Sequence, residues 1–533
     1  MAILFLILSG AVSGMTYAVF EIPILIYLSL IPFFYIIFKK AENTGVFKMY
    51  LYGIAFFYPY FIAVFHWFIY QYPLDFLGFS KAMSIGYIIL AWFGVSLLMT
   101  VLFSFIPVFM RIYVLFKGKA FLSPFYISCI WCIAEWLNSK TCMGVPWARL
   151  AVTQQNALFY LQSSSILSSF FISFIIVFFS SSIAYAVICF KESDRKKALI
   201  SSACAVFLIF ANSVSGIVLY YSDLSNESGD IITVSVLQGN MLSGEKWEGD
   251  SSYTAMQIYL DMIYTESEKN SPDIMVLPET AIPVNLNYFT SYREMLAMAS
   301  EETGSTLLVG AFNNTEDGTS LNSIFMFTPD GGMSETVYNK QQLVPFGEFL
   351  PLRPLLEKIL PMLSDINATS SDLAAGDDST VFETEYGKIG SLICFDSIFE
   401  LLSQKSVENG AELLCISTND SWFSDSAAIY EHNGHARLRA IENRRYIMRS
   451  ANSGMSSAIT PRGEIIAKID PLYKGTLCCD VVLRNDVTFF SRNPRLFPSF
   501  LIVSAVCLLS LPFAERCIKS YKDCKICRAD KKQ

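Results

Sequence analysis

The chain has 533 residues, 53% of them hydrophobic and only 16% charged, and a formal net charge of −8. Soluble proteins carry roughly 25% charged residues, so composition argues against a wholly soluble chain, and the length argues against a single compact core. The acidic balance gives no footing for a nucleic-acid partner.

About 20 apolar residues cross a bilayer as a helix. Nearly uncharged runs of that order stand at 1–20, 22–38, 49–70, 82–110, 121–137, within 150–190, at 198–221 and at 496–514. The pattern predicts eight transmembrane helices, seven before a polar stretch and one after it. The first run lacks a basic flank and only Glu21 separates it from the next, so it is read as an uncleaved span. Lys39, Lys40 and Lys48, then Arg111, Lys117 and Lys119, then Lys191, Arg195, Lys196 and Lys197 fall in alternate loops, and the tail beyond residue 515 is basic. The loops between them hold only Lys81, Lys140 and Arg149. Basic loops stay in the cytoplasm, which puts both termini inside and 222–494 outside. Glu135 falls near the outer end of the fifth run, where an intramembrane acid is either functional or snorkels to the interface. His66, inside the third run, reads as a packing residue.

From residue 231 the pattern changes to short β-branched runs alternating with polar helical stretches. Strands are expected at 231–238, 274–277, 306–311, 323–327, 387–394 and 412–417, and helices at 256–268, 291–302 and 427–450. That alternation predicts an α/β domain around a buried sheet, with a solvated loop over 364–379. The chain thus divides into a membrane domain at 1–221, an α/β domain at 222–494, and a last span with a basic tail at 495–533.

Within the α/β stretch, Cys394 ends a strand-like run, Glu279 follows Val276-Leu277-Pro278, and Lys340 stands in a turn-like segment. A thiol, a base and a cation suffice for acyl transfer through a thioester. The expected helix at 397–403 could bring amide N–H groups to the sulfur. Each residue also has an ordinary reading: a buried small hydrophobe, a solvated or capping acid, a surface amine. A papain-like Cys–His pair is the competing chemistry, and His432 with His435 could suggest a metal pair. No third ligand has matching spacing, so structural histidines are favoured.

The 13 cysteines are scattered, and no obligatory disulfide is expected. Cys478 and Cys479 would point to opposite faces of a strand, and the tail pair Cys524 and Cys527 beside Cys517 reads as incidental. Phosphate loops and complete ligand sets are lacking, so neither cofactor nor metal is expected.

Val276-Leu277-Pro278-Glu279-Thr280, Asn339-Lys340 with Leu343 to Glu348, and Leu392-Ile393-Cys394 resemble the Glu, Lys and Cys signatures of the nitrilase superfamily. The run Pro345-Phe346-Gly347-Glu348-Phe349-Leu350-Pro351, the flanking spans, Gly144-Val145-Pro146-Trp147, Gln238-Gly239-Asn240 and Asn419-Asp420-Ser421-Trp422-Phe423 are similar to the bacterial apolipoprotein N-acyltransferases. The resemblance implies a polytopic membrane domain of eight transmembrane helices bearing an αββα nitrilase-like sandwich on the periplasmic side of the inner membrane.

By that likeness Glu279 is general base, Lys340 stabilises the oxyanion, Cys394 is nucleophile, and Glu348 either orients Lys340 or assists proton transfer. Where the family commonly has Tyr then Glu, this chain has Phe395 then Asp396, so a direct role for either supporting position is in doubt. Trp147, Trp247 and Trp422 are candidates to line a lateral lipid opening, with Asn240 and Asn419 as further substrate-binding positions. The implied partners are a phospholipid acyl donor and a diacylated apolipoprotein acceptor, with the enzyme a monomer. The rival readings are a membrane-tethered nitrilase-type amidase, and a transporter or receptor whose outer domain binds ligand.

Overall fold

The computed structural model describes all residues except 19–21, 76–77, 142–143, 225–228, 242–245, 247–250, 331, 352, 355–357, 359–371 and 513–533. Trp247, the first half of the loop at 364–379 and the tail cysteines lie outside the described residues.

Six helices are long and apolar enough to cross a membrane: Ile24–Ala41, Val46–Gln71, Lys81–Leu115, Ala120–Asn138, Ser169–Lys191 and Arg195–Asp223. The first and last expected runs are shorter apolar helices, Ala2–Tyr17 and Leu496–Pro512. At 1.5 Å per residue, a helix of about 17 residues reaches only about 25 Å of the roughly 30 Å hydrocarbon layer. The long fourth run is two helices, Lys81–Phe103 and Phe105–Leu115, meeting at Ser104. Along Arg195–Asp223 the outward residues Leu199, Val206, Phe207, Phe210 and Val218 are apolar and exposed, as a lipid-facing surface requires.

The interior of this bundle is aromatic: Phe33 stacks on Phe56, and Phe57 meets Trp131 at 5.3 Å between ring centroids. Gly10 and Gly14, one turn apart, let the first helix lie on Val46–Val64. A Cβ on Gly10 would stand 2.0 Å from the Phe56 carbonyl oxygen, and on Gly14 2.3 Å from that of Tyr60. Small residues at this spacing permit close helix approach. Gly14→Leu is therefore expected to cost about 3 kcal/mol through forced separation. Thermal unfolding in detergent checks this, and an unchanged midpoint would refute the close approach.

The α/β part holds two sheets. One runs β13-β1-β2-β4-β5-β6 with β3 paired to β4, and the other β12-β11-β10-β9-β8-β7. In chain order the strands are β1 Ile231–Gln238, β2 Ile274–Val276, β3 Ile282–Asn285, β4 Thr306–Asn314, β5 Ser320–Phe327, β6 Met333–Asn339, β7 Val381–Glu383, β8 Lys388–Ile393, β9 Leu413–Thr418, β10 Ile447–Ala451, β11 Ser456–Ile459, β12 Ile465–Ile469 and β13 Gly475–Val482. Strands β1, β2 and β4 are parallel, as are β8, β9 and β10.

Alternate residues of both sheets meet between them: Val234, Val236, Ile274 and Leu308 against Ile389, Leu413, Cys415 and Met448. The opposite set packs outward. Leu237, Met275 and Leu307 meet the helices Ser251–Asn270 and Thr290–Thr303, while Leu414, Ile416 and Ile447 meet Glu400–Glu408 and Ala427–Asn443. Both faces of each parallel sheet are thus buried, which is why its strands read as continuous apolar runs. The layers are helix, sheet, sheet, helix.

Three local expectations need correction. The helix expected over 427–450 stops at Asn443, where Arg444 takes a left-handed φ of 52°, and residues 447–451 form β10, paired parallel to β9. Burial in the sheet overrides the helical pattern there. Lys340 is not in a loose turn: it follows β6 directly, and its N–H donates to the Asn322 carbonyl at 2.8 Å. Glu135 does not snorkel. It is buried, and its Oε1 accepts from Trp131 Nε1 and the Leu150 N–H, each at 3.1 Å.

The membrane helices and the sandwich share one apolar cluster, in which Phe395, Ile398, Phe399, Leu438 and Ile441 join Trp67, Trp147 and Leu150. Buried charge crosses the same seam. Arg149 donates to Glu400 at 2.8 Å and to Ser169 Oγ at 2.9 Å, and Arg484 makes two bonds to Asp223, at 3.0 and 2.9 Å. Burial alone would raise the Glu400 carboxyl, but Arg149, Lys140 and Arg439 outweigh it and hold it at about 2.

Candidate active site

Glu279, Lys340 and Cys394 each stand just past the end of a strand, β2, β6 and β8. The parallel strands deliver such ends to one edge of the sandwich, where α/β domains place their reactive groups. The approach is close: a Cβ on Gly310 of β4 would meet the Pro278 carbonyl oxygen at 2.2 Å, so only glycine lets β4 pass the turn that carries Glu279.

Lys340 lies between two carboxylates, with Nζ 2.9 Å from Glu279 Oε1 and 2.8 Å from Glu348 Oε1. Asn322 Nδ2 donates to Glu279 Oε1 at 2.7 Å, and the N–H of Asn419 donates to Glu279 Oε2 at 2.8 Å. Glu348 Oε2 accepts from the Val344 N–H at 2.8 Å, which closes its loop beneath Lys340. Burial by itself would push the Lys340 ammonium down, but Glu279 and Glu348 outweigh it, and the group stays cationic. The Cys394 thiol is pushed well up by burial and by Glu279, against the pull of Lys340. At neutral pH it is a thiol with a carboxylate and an ammonium close enough to act on its charge.

Cys394 has a φ of 49°, and Thr280 and Phe346, beside Glu279 and Glu348, have φ of 45° and 64°. Left-handed backbone at non-glycine residues is costly and concentrates at working sites. The turn after Cys394 is a 3-10 helix, Cys394–Ile398, and the α-helix starts only at Glu400. The expected helix amides are therefore one turn away from the sulfur, and Lys340 supplies the positive charge instead.

The two departures from the family pattern have structural partners. Asp396 is buried and accepts from Tyr338 Oη at 2.8 Å and from the N–H groups of Gln342 at 2.7 Å, Gln341 at 3.2 Å and Ile393 at 3.1 Å. It ties the Lys340 segment to the Cys394 turn. Burial pushes its carboxyl up to about 6, against the pull of Lys340. Phe395 packs on Phe399 at 5.3 Å in the seam with the membrane helices.

The proposed substrate-binding residues separate. Trp147 is buried, bonded through Nε1 to Glu431, and its ring lies 5.4 Å from that of His432. Trp422 is half-buried in the 3-10 turn Ser421–Phe423, whose Phe423 meets Trp67 at 4.9 Å. Asn419 serves Glu279 through its backbone, while its Oδ1 accepts from Asn452 Nδ2 at 3.1 Å. Asn240 bonds Leu472 and Asn452, away from the triad.

Three polar residues at this edge escape a reading of the sequence, Asn322, Arg449 and Lys246, and they are joined by His432, which the sequence offers only as a structural or metal-pair histidine. Lys246 Nζ donates to the Glu279 carbonyl at 3.0 Å and to Thr280 Oγ1 at 2.6 Å, and burial pushes its ammonium down to about 7 against the pull of Glu279. Their only sequence signal is polarity inside otherwise apolar strands or near them. The ligand-type atoms of Cys394, Asp420 and His432 lie within 4.8 Å of one another, a grouping of the kind that holds metal ions. Arg449 Nη2, at 2.9 Å from both Asp420 Oδ2 and His432 Nδ1, already supplies a positive charge there.

Comparison with known proteins agrees with this division. Residues 233–485 match the family described as carbon-nitrogen hydrolase, and residues 9–182 match the apolipoprotein N-acyltransferase N-terminal domain. The chain is 26% identical over 494 residues to the apolipoprotein N-acyltransferase of Haemophilus influenzae, covering 91% of this chain and 90% of that one. It is 28% identical over 396 residues to that of Geobacter metallireducens, covering 73% and 74%. Among solved structures it is similar to Saccharomyces cerevisiae Nit3, of the nitrilase superfamily, with 20% identity and a TM-score of 0.37 over 51% of this chain and 93% of that one. A multi-pass helical segment of one match and a Glu–Lys–Cys edge within the other leave one assignment: the chain belongs to the apolipoprotein N-acyltransferase family.

Proposed function

We propose that the protein moves an acyl chain from a membrane phospholipid, through a thioester on Cys394, to the α-amine of the S-diacylglyceryl-cysteine that begins an apolipoprotein. The observation that carries this reading is the Glu279–Lys340–Glu348 cluster beside a strand-end cysteine whose own turn is packed into the membrane helices. Glu279 takes the thiol proton as sulfur attacks the ester carbonyl, and Lys340 stabilises the oxyanion. The oxyanion collapses, the carbon–oxygen bond breaks, and Glu279 returns the proton to the leaving lysophospholipid. In the second half the amine attacks the thioester, its proton passes through Glu279 to the departing sulfur, and an amide forms.

Both substrates are lipids, and an acyl chain holds to the bilayer by about 0.8 kcal/mol per buried CH₂. A site joined to membrane helices avoids that cost. Trp147 and Trp422 stand on the membrane side of the site in this reading and border the acyl path. The domains divide at 1–221, 222–494 and 495–533, and the two shorter helices complete eight spans in a bilayer locally thinned or bridged by interfacial residues. The alternating Lys and Arg loops support a bacterial inner-membrane protein with both termini cytoplasmic and the sandwich periplasmic. It acts as a monomer.

Purified protein given phospholipid with a labelled acyl chain should gain hydroxylamine-sensitive label on Cys394, and Cys394→Ala should gain none. A diacylated lipopeptide should then discharge the label as a triacylated product. Release only as free fatty acid would overturn the transferase reading in favour of a hydrolase.

A further inference from the structure

Cys394 has a second set of neighbours, on residues outside the Glu–Lys–Cys chemistry. Its carbonyl oxygen accepts from Ser397 Oγ at 2.7 Å and faces His432 Nε2 at 3.1 Å, while that same Nε2 lies 3.0 Å from Ser397 Oγ. A carbonyl can only accept, so Nε2 carries the proton. On the other side of the ring, Nδ1 lies 2.9 Å from Arg449 Nη2, which can only donate, and 3.0 Å from Asp420 Oδ1, which can only accept, so a buried ion pair holds that edge of the ring. Asp420 holds Arg449 in place at 2.9 Å and accepts from Thr418 Oγ1 at 3.0 Å. All three residues are buried, so this chain of bonds is shielded from competing water.

We infer that His432, with its ring held by Arg449 and Asp420, is a positioning residue that pins the left-handed backbone of Cys394 and so aims its thiol at the substrate carbonyl. The reason lies in the backbone. A cysteine at φ 49° sits in a region non-glycine residues leave when released, and the sulfur direction follows the backbone. Two donors on one carbonyl hold it there. Trp147, whose ring lies 5.4 Å from that of His432, closes the remaining side from the membrane part.

The inference rests on Cys394 being the acylated nucleophile, and alkylation of Cys394 by iodoacetamide, which needs no lipid, separates the two. His432→Leu removes the donor at similar volume, and His432→Gln restores an N–H at a similar reach. Expected for His432→Leu is a fall of about thirtyfold in both alkylation and acyl-enzyme formation, on the scale of misplaced reacting groups, with KM for phospholipid and the melting midpoint unchanged. His432→Gln should recover to within about threefold. Slowed alkylation in His432→Leu together with no acyl-enzyme in the wild type would keep this inference and reject the transferase reading. Wild-type rates in a folded His432→Leu would overturn the inference, as would a loss that tracks a lowered midpoint and is not restored by Gln.

Discussion

Lys340→Met is expected to lower acyl-enzyme formation about a thousandfold, the upper range for removing one preorganised oxyanion donor. Two effects act in the same direction. The oxyanion loses its only close cation among the described residues of the triad, and Glu279 and Glu348 are left facing one another without the ammonium that sits 2.9 and 2.8 Å from them. The two carboxylates then repel one another with no cation between them, and Glu279 loses the ammonium that places it. Lys340→Arg should not rescue, since a planar guanidinium cannot occupy a gap shaped for one nitrogen. Quenched-flow measurement of labelled thioester checks this, and a Lys340→Met variant with more than a tenth of wild-type rate would remove Lys340 from the mechanism.

Arg149→Met should produce the largest stability loss outside the site. Breaking a buried pair costs roughly 3–5 kcal/mol, and here Lys140, 3.9 Å from Glu400, and Arg439 leave that carboxylate only partly compensated. The melting midpoint in detergent should drop by on the order of 10 °C. Glu400 also sets the pH dependence. Its carboxyl is held at about 2 when folded, below its ordinary value of 4.5, so the pair's contribution is complete above pH 4.5 and is lost as pH falls toward 2. In the variant that contribution is missing at every pH, and the gap to wild type should narrow over the same window. Arg149→Met combined with Glu400→Leu should regain most of the loss, because apolar residues of similar volume replace buried pairs at little cost. Equal midpoints for wild type and Arg149→Met at pH 7 would show that the seam does not depend on this pair.

Several elements were legible because burial leaves a plain mark on sequence. β1, β8 and β9 lie in the parallel parts of their sheets with both faces covered, so they read as largely apolar runs. The positions of Glu279 and Cys394 were legible for the related reason that each follows an apolar strand. β6 was not, since Met333–Asn339 is an edge strand with four charged or polar residues among seven, and an edge needs few apolar ones. The overrun helix at 427–450 failed for the opposite reason. Its last residues are helix-tolerant locally, and only their partners β9 and β11 make them a strand.

By itself, then, the sequence determined that apolar helices flank an α/β domain, because hydropathy is a local property. The tertiary structure alone decided that Lys340 is clamped by two carboxylates, that Asp396 ties two segments together, and that His432 reaches Cys394 from a helix 38 residues downstream. Those are hydrogen bonds between groups distant in the chain, and their energies depend on burial and direction that no sequence spacing encodes.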